Sequence, residues 1–517
     1  MKSEVEQDKA HCAATARLVR ALDNAAAFGH GLTQLKYIET HISWVILTGD
    51  YAYKVKKPVA LGFLDFSRLE DRRRYCEEEV RVNRRTAAAL YIDVVPIASG
   101  PDGARMGAEP AVEFAVRMRQ FPHEARLDRC LQAGALGLPE MRSLAAAIAR
   151  FHQDLPPRRD IDAAFEVERA VKPARNNFMH LDPAAFDDES QQRLAVIEDW
   201  TLRQAETLSP VFEARARQGA IRECHGDLHL ENLLLRDGSF IPFDALEFNQ
   251  NLRWIDVAND VAFLVMDLMA RGRVDLAYTV LNGWLEETGD YDSLALMRFY
   301  LVYRCMVRAV VTDIRSRQGG SQPEYSARPD AASYVKLAAE LVDTPPARLF
   351  LMHGFSGSGK TWHSAKLVAE LPALRVRSDL ERKRLSGLAA GQKTAGEVGV
   401  GLYGADVTDR TYRELARHCE TGLRAGFDMI ADATFLRRRH RRWFIDLAGS
   451  LGATPLIVDC GAPEEVLRAR ITERAARRRD ASDADNAVLD HQLAHHEPLD
   501  EAERALVAES PEASNNG

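Results

Sequence analysis

The octapeptide GFSGSGKT, Gly354 to Thr361, constrains this chain more tightly than any other stretch. A loop that cradles phosphates needs a buried strand to aim it and glycines that let successive backbone N–H groups point inward. It also needs a following helix whose N-terminus adds partial positive charge. The apolar run RLFLMH stands before the loop, and the helix-compatible TWHSAKLVAEL follows. The pattern GxxxxGK[ST] in that setting predicts an α/β P-loop domain with a parallel sheet. In it Gly354, Ser356, Gly357, Ser358 and Gly359 would surround the phosphates of ATP, Lys360 would reach the β/γ-phosphates and Thr361 would ligate Mg2+. Three later apolar runs fit further strands: ALRVRSD, ending on Asp379; FDMIADATF, ending on Asp432 and Thr434; and TPLIVDCGAP, carrying Asp459. Ligands of such sheets sit beyond the carboxyl ends of the strands. Asp379 and Asp432 are therefore expected beside the loop, Asp432 on the metal side.

A second polar cluster, ECHGDLHLENLLL from Glu223 to Leu235, is set among leucines. Asp227 and Asn232 are five apart, and Asp244 ends the apolar run SFIPFD twelve residues after Asn232. Phosphoryl transfer asks for a carboxylate that orients the attacking hydroxyl and accepts its proton, and for oxygen ligands that hold Mg2+ on the ATP phosphates. Asp227, Asn232 and Asp244 supply those groups. Zinc is a competing reading, because His225 and His229 stand at i and i+4; Gly226 between them and the strand-like LLLRDGSFIPF beyond argue against the helix it needs. A polar turn without chemistry is the third reading.

A chain of 517 residues divides into about three units. The net charge of −8 gives no global pull toward nucleic acid or anionic membrane. The polar N-terminus has no signal-peptide core, and no apolar run is long enough to span a membrane. The seven cysteines are scattered without CxxC spacing. These features fit a cytoplasmic protein. The Gly-, Ser- and Pro-rich stretch after Ser316 and the double proline of VDTPPAR mark a linker. The expected division is a small β-rich lobe with an N-terminal helix (1–120), an α-rich lobe (121–317), a linker with one short helix (318–346), a P-loop domain (347–505) and a disordered tail (506–517).

HGDLHLENLLL…FIPFDALEF resembles the catalytic loop and metal-binding segment of aminoglycoside phosphotransferases, which share the bilobal protein-kinase-like fold. The resemblance implies an α+β bilobal domain in which Asp227 is the catalytic base, Asn232 and Asp244 hold Mg2+, and His225 braces the loop. Asp260 would anchor the loop from a helix below, or else serve only as a helix N-terminal carboxylate. The small lobe should then supply a lysine to the phosphates and a helix glutamate to position it. YAYKVKKPV offers Lys54, Lys56 and Lys57. Lys54 is preferred, while Lys56 and Lys57 run into Pro58 as a solvated end. Among Glu77, Glu78 and Glu79 the choice is Glu79. No GxGxxG loop precedes Lys54, so Thr40, His41 and Ser43 of ETHIS are candidates for covering the phosphates.

The SDLERKRL segment after the second strand resembles small P-loop kinases of the AAA_33 type, such as gluconate, shikimate, polynucleotide and zeta-toxin-like kinases. That resemblance implies that Asp379 contacts the acceptor hydroxyl and Arg382 holds the substrate. The Arg-rich segment EEVLRARITERAARRR looks like a lid, with Arg470 and Arg474 four apart. The block RRRHRR, 437–442, reads as a solvated helix start, with a phosphorylated substrate or nucleic acid as the alternative. The whole pattern resembles bacterial fusions of these two families. It implies two sites for ATP and Mg2+, each passing a phosphoryl group to a small-molecule hydroxyl acceptor. The alternatives are that one domain is a nucleotide-binding regulator, or that the C-terminal domain is a polynucleotide kinase.

Overall fold

A computed structural model describes residues 12–508 except 41, 62–63, 102, 161, 318–328, 389–404 and 478–484. The first lobe is built on a six-stranded antiparallel sheet in the order Lys36–Glu39, Ser43–Leu47, Tyr51–Lys56, Glu113–Arg119, Tyr91–Gly100, Gly103–Met106. Its second and third strands form a hairpin, with Ser43 opposite Lys56 and Leu47 opposite Ala52. Helix Leu69–Ala87 packs on this sheet; Glu70 and Asp71 in its first turn and Arg84 and Arg85 in its last complement its dipole.

The second lobe is helical. Helix Val257–Ala270 is buried along nearly its whole length, and its sequence VANDVAFLVMDLMA is apolar on every side except for polar groups that have assigned partners. It packs between Val274–Thr288 and Leu294–Arg317. The segment 233–242 folds as the hairpin Leu233–Arg236 with Ser239–Pro242, and Leu228, Leu230, Leu233 and Leu234 are fully buried.

Within the stretch expected as linker, helix Ala331–Val342 is docked rather than free: Tyr334, Val335, Ala338 and Leu341 are buried against Leu294–Arg317. From there the apolar core runs without a break into the C-terminal sheet. That sheet has four parallel strands in the order Ala373–Arg377, Asp428–Asp432, Arg348–His353, Thr454–Asp459. The strand Ala373–Arg377 ends before Ser378, so Asp379 belongs to the first turn of helix Ser378–Leu385 instead of closing the strand. The expected tail is ordered at its start: Ile457 N–H donates to Leu506 O and Ala508 N–H to Ile457 O, which docks 506–508 on the sheet edge. Residues 509–517 lie outside the described residues. No described helix is long and apolar enough to cross a membrane.

Candidate active sites

In the first lobe, pleat alternation sends Lys54 and Lys56 to the same face, and both meet Glu79 of helix Leu69–Ala87. Lys54 Nζ donates to Glu79 Oε1 at 2.9 Å and to Asp244 Oδ1 at 2.5 Å. Burial opposes the charge on Glu79, but the two ammonium groups outweigh it and hold the carboxyl at about 2. Glu77 is exposed beside Arg73, while Glu78 is half-buried between Arg81 and the buried Arg253.

The expectation of a solvated lysine end is corrected here. Lys56 is 1% exposed, bonded to Glu79 Oε2 at 2.6 Å and to Glu247, with its ammonium over the Phe66 ring. Lys57 is buried as well, paired to Glu39 and lying over Trp44. Burial pushes the Glu247 carboxyl up; Lys56 opposes this and the neighbouring Glu79 charge adds to it. The phosphate-covering candidates are weakened. Thr40 spends its hydroxyl on its own turn with Ser43, Ser43 is buried, and His41 lies outside the described residues.

The HGD loop is held from below by Asp260, which is both a first-turn carboxylate and an anchor. Its Oδ1 accepts the Gly226 N–H at 2.8 Å, and its Oδ2 accepts the His225 N–H and His152 Nε2 at 3.1 Å each. Trp284 Nε1 donates to His152 Nδ1, which leaves the imidazole proton on Nε2, facing Asp260. Gly226 is required here: its φ is 85°, and a Cβ would stand 2.9 Å from Leu252 O. Among the described residues, His152, Cys224 and Asp260 form the one cluster with metal-ligand proximity, and these hydrogen bonds occupy it.

His225 braces the loop through Nε2 to Phe243 O at 2.9 Å, and burial pushes its pKa down toward the neutral ring. Asn232 Nδ2 donates to Asp227 O and Oδ2 at 3.0 and 2.8 Å, which leaves its carbonyl oxygen as the group that can hold a cation. His229, which the sequence reading sets aside once zinc is rejected, is a partner of Asp227. Its Nδ1 accepts the Glu231 N–H, so Nε2 carries the proton and meets Asp227 Oδ2 at 3.3 Å, with Arg308 behind it. Burial opposes the Asp227 charge, but His229, Arg308 and His225 outweigh it and hold the carboxyl well below the ordinary range.

Asp244 is one of three described non-glycine residues with positive φ, at 60°. Its backbone N–H reaches Tyr91 Oη, and the Ala245 N–H reaches Asn83, which bonds back to Glu79 O. Strain at such a site persists where the surroundings fix it. Asn232 and Asp244, the residues expected to hold the cation, offer only oxygen donors, which suits Mg2+ rather than a soft metal.

In the C-terminal domain the P-loop has the shape the motif requires. Gly354, Gly357 and Gly359 have φ of 145°, 83° and 93°, and a Cβ on Gly357 would stand 2.7 Å from Leu467 O. Lys360 Nζ folds over the loop onto Gly354 O and Phe355 O. Ser356 is held by Gln492 of helix Asn486–His495, and Ser358 is buried in the turn. Thr361 lies in the first turn of helix Lys360–Glu370. Asp432 is 5% exposed at its strand end and accepts from Ser364 Oγ at 2.8 Å. Arg382 reaches Asp379 at 3.4 Å, and Asp459 pairs with His353. Arg470, on helix Glu464–Arg477, approaches the carbonyls of Gly357 and Ser358. The side chain of Arg474 lies outside the described residues.

Of the block 437–442, Arg441 is not solvated. It is fully buried, with a two-pronged bond to Glu503 and further bonds to the carbonyls of Phe435 and Glu497. Arg437, Arg438 and Arg439 are exposed beside Glu497, Asp500 and Asp409.

The first two lobes form a protein-kinase-like domain with its lysine–glutamate pair and HGD loop, followed by a P-loop domain. Together they define a kinase-type enzyme. The family described as "Phosphotransferase enzyme family" matches residues 62–297, and the "AAA domain" family matches 349–499. Proteins described as uncharacterized from Mycobacterium tuberculosis and Mycobacterium bovis are 33% identical over 457 residues, covering 88% of this chain and 89% of theirs. The chain belongs to the family of these proteins, with a phosphotransferase domain preceding an AAA-type P-loop domain.

Solved structures similar to parts of it include a Plasmodium vivax ethanolamine kinase, with 11% identity, 60% of this chain, 82% of that one and TM-score 0.36. Aminoglycoside 2'-phosphotransferase-IIIa matches at 13% identity, with 64% and 97% coverage and TM-score 0.36. A sugar kinase from Janibacter sp. matches at 21% identity, with 32% and 90% coverage and TM-score 0.25.

Proposed function

We propose that the chain is an ATP-dependent phosphotransferase with two ATP sites, each passing the γ-phosphoryl group to a hydroxyl of a small molecule. The observation that carries this reading is the convergence of Lys54, Glu79 and Asp244, drawn from a strand, a helix and a loop up to 190 residues apart in sequence. Mg2+, when bound, would neutralise charge on the phosphates. In the first site Lys54 would orient the α/β-phosphates, and Asn232 and Asp244 would present oxygens to the cation. Asp227, kept ionised by His229 and Arg308, would take the acceptor hydroxyl's proton on its carboxylate. In the second site the P-loop N–H groups and Lys360 would hold the phosphates, Thr361 and Asp432 would stand on the metal side, Arg470 would lie over the loop, and Asp379 would face the acceptor with Arg382.

A second reading makes the first domain a nucleotide-binding regulator. It is favoured by the absence of a glycine-rich loop and by the Thr40 hydroxyl being spent in its own turn. ADP formation by the whole chain, Asp227→Asn and Lys360→Ala, across a panel of hydroxyl acceptors, separates the two. Two active sites predict that each variant loses a different part of the acceptor profile, the Asp227 part by about 10²–10⁴-fold. An unchanged profile in Asp227→Asn, with complete loss in Lys360→Ala, would leave the first site non-catalytic.

A further inference from the structure

The edge strand of the P-loop sheet, Ala373–Arg377, is covered by the kinase-like domain through specific polar contacts. Asn282 of helix Val274–Thr288 pairs its amide with the strand backbone: Nδ2 donates to Ala373 O at 3.0 Å, and Oδ1 accepts the Arg375 N–H at 2.7 Å. Tyr291 Oη donates to Arg375 O at 3.0 Å. Glu286, from the same helix as Asn282, accepts Nε and Nη2 of Arg375 at 2.9 and 2.6 Å.

The remaining arm of that guanidinium points into the P-loop domain. Arg375 Nη1 donates to Ser364 Oγ at 3.0 Å and lies 3.5 Å from Thr361 O. A guanidinium can only donate, so it takes a lone pair of the serine; the one hydroxyl proton then has two acceptors, Thr361 O at 3.2 Å and Asp432 Oδ2 at 2.8 Å, of which the carboxylate is both nearer and charged. Ser364 is fully buried, so water does not compete for these bonds. One carboxylate of the kinase-like domain thus reaches, through two side chains, the carboxylate on the metal side of the P-loop.

We propose that Glu286 is a positioning residue of the P-loop site: by fixing Arg375 it orients Ser364, and through it Asp432, so the kinase-like domain completes the metal side of the other domain's nucleotide site. The inference rests on the P-loop domain binding Mg2+–ATP as proposed above. Groups behind a metal ligand commonly change metal affinity or activity by 10–100-fold. A contact that only glues the domains together would instead weaken the nucleotide site with and without metal alike.

The test uses the full chain and binding of a fluorescent ATP analogue with and without Mg2+, taking as the P-loop signal the part lost in Lys360→Ala. Glu286→Ala is expected to cut the Mg2+-dependent gain in affinity about tenfold while leaving metal-free affinity within about twofold, and Glu286→Gln, which keeps an acceptor oxygen, to lie between. Ser364→Ala breaks the relay while leaving the Glu286–Arg375 contact in place, so it should reproduce the loss. The double variant should then fall no further than either single one.

Additive losses, an unchanged Mg2+-dependent gain, or equal loss of metal-free binding would each overturn the proposal. Should Glu286→Ala fail to fold, Ser364→Ala and Glu286→Gln carry the same comparison. A signal insensitive to Lys360→Ala would instead defeat the underlying reading of the P-loop site, a result distinct from failure of the relay.

Discussion

Lys56 sits in the first lobe's charge cluster without being the lysine assigned to the phosphates, and replacing it tests how that cluster is balanced. Lys54 and Lys56 face Glu79, Glu247 and Asp244, and of the two it is Lys56 that bonds to Glu247. Lys56→Met keeps the volume of the stem but leaves Glu247 buried without its ammonium and closer in character to a second like charge beside Glu79. Removing one member of a buried pair costs about 3–5 kcal/mol. The deficit should depend on pH in a defined direction. The Glu247 carboxyl already lies above its ordinary value and rises further without Lys56. A carboxyl raised in the folded state contributes stability that is fully present below its unfolded pKa and is lost as pH rises through its folded pKa. The variant should therefore be weakest at neutral and alkaline pH and recover toward pH ~5, by at most about 1.4 kcal/mol per unit. Lys56→Met/Glu247→Leu, which removes both charges, should regain most of the loss. Urea unfolding of the four proteins of this cycle at several pH values measures all three quantities. A deficit under about 1 kcal/mol, a deficit flat with pH, or a double variant worse than either single one would refute the reasoning.

Asp260→Ala should cost about 3 kcal/mol, since it strands two buried backbone N–H groups and His152, and should lower Asp227-dependent turnover; chemical denaturation and single-turnover assays check the pair. His229→Leu removes the proton donor beside Asp227, so burial would lift that carboxyl and move the acid limb of the pH–rate profile to higher pH. Gly357→Ala forces a methyl against Leu467 O at a backbone angle that suits glycine, and should weaken ATP binding at the P-loop at least about tenfold by titration while leaving Asp227-dependent turnover in place.

The parts legible in the sequence are those whose chemistry is written over a few consecutive residues. The P-loop octapeptide, 354–361, and the HGD…N…D spacing, 225–244, are each written over a short stretch, and their local structure follows from glycine and from apolar runs. What stayed hidden depends on partners far along the chain. Lys56 reads as a strand end because Glu247 lies 191 residues away, and Arg441 reads as one of a solvated run because Glu503 lies 62 away. His229 loses its standing with the zinc hypothesis because i, i+4 spacing says nothing about an imidazole held across a loop. The contacts between the domains are hidden most completely: Asn282, Glu286 and Tyr291 are ordinary polar residues of a helix and the turn after it, and nothing local shows that they face a strand edge.

The docked helix Ala331–Val342 sets a mechanical bound. Between its end and the P-loop strand at Arg348 only residues 343–347 remain, two of them proline. Fully stretched, five residues span roughly 17 Å. As long as that helix stays seated on the second lobe, the C-terminal domain is leashed rather than tethered: it can tilt or slide at the shared face, but it cannot swing out to meet a distant partner. Any message passed between the two proposed nucleotide sites must then travel as a small displacement across a closed seam.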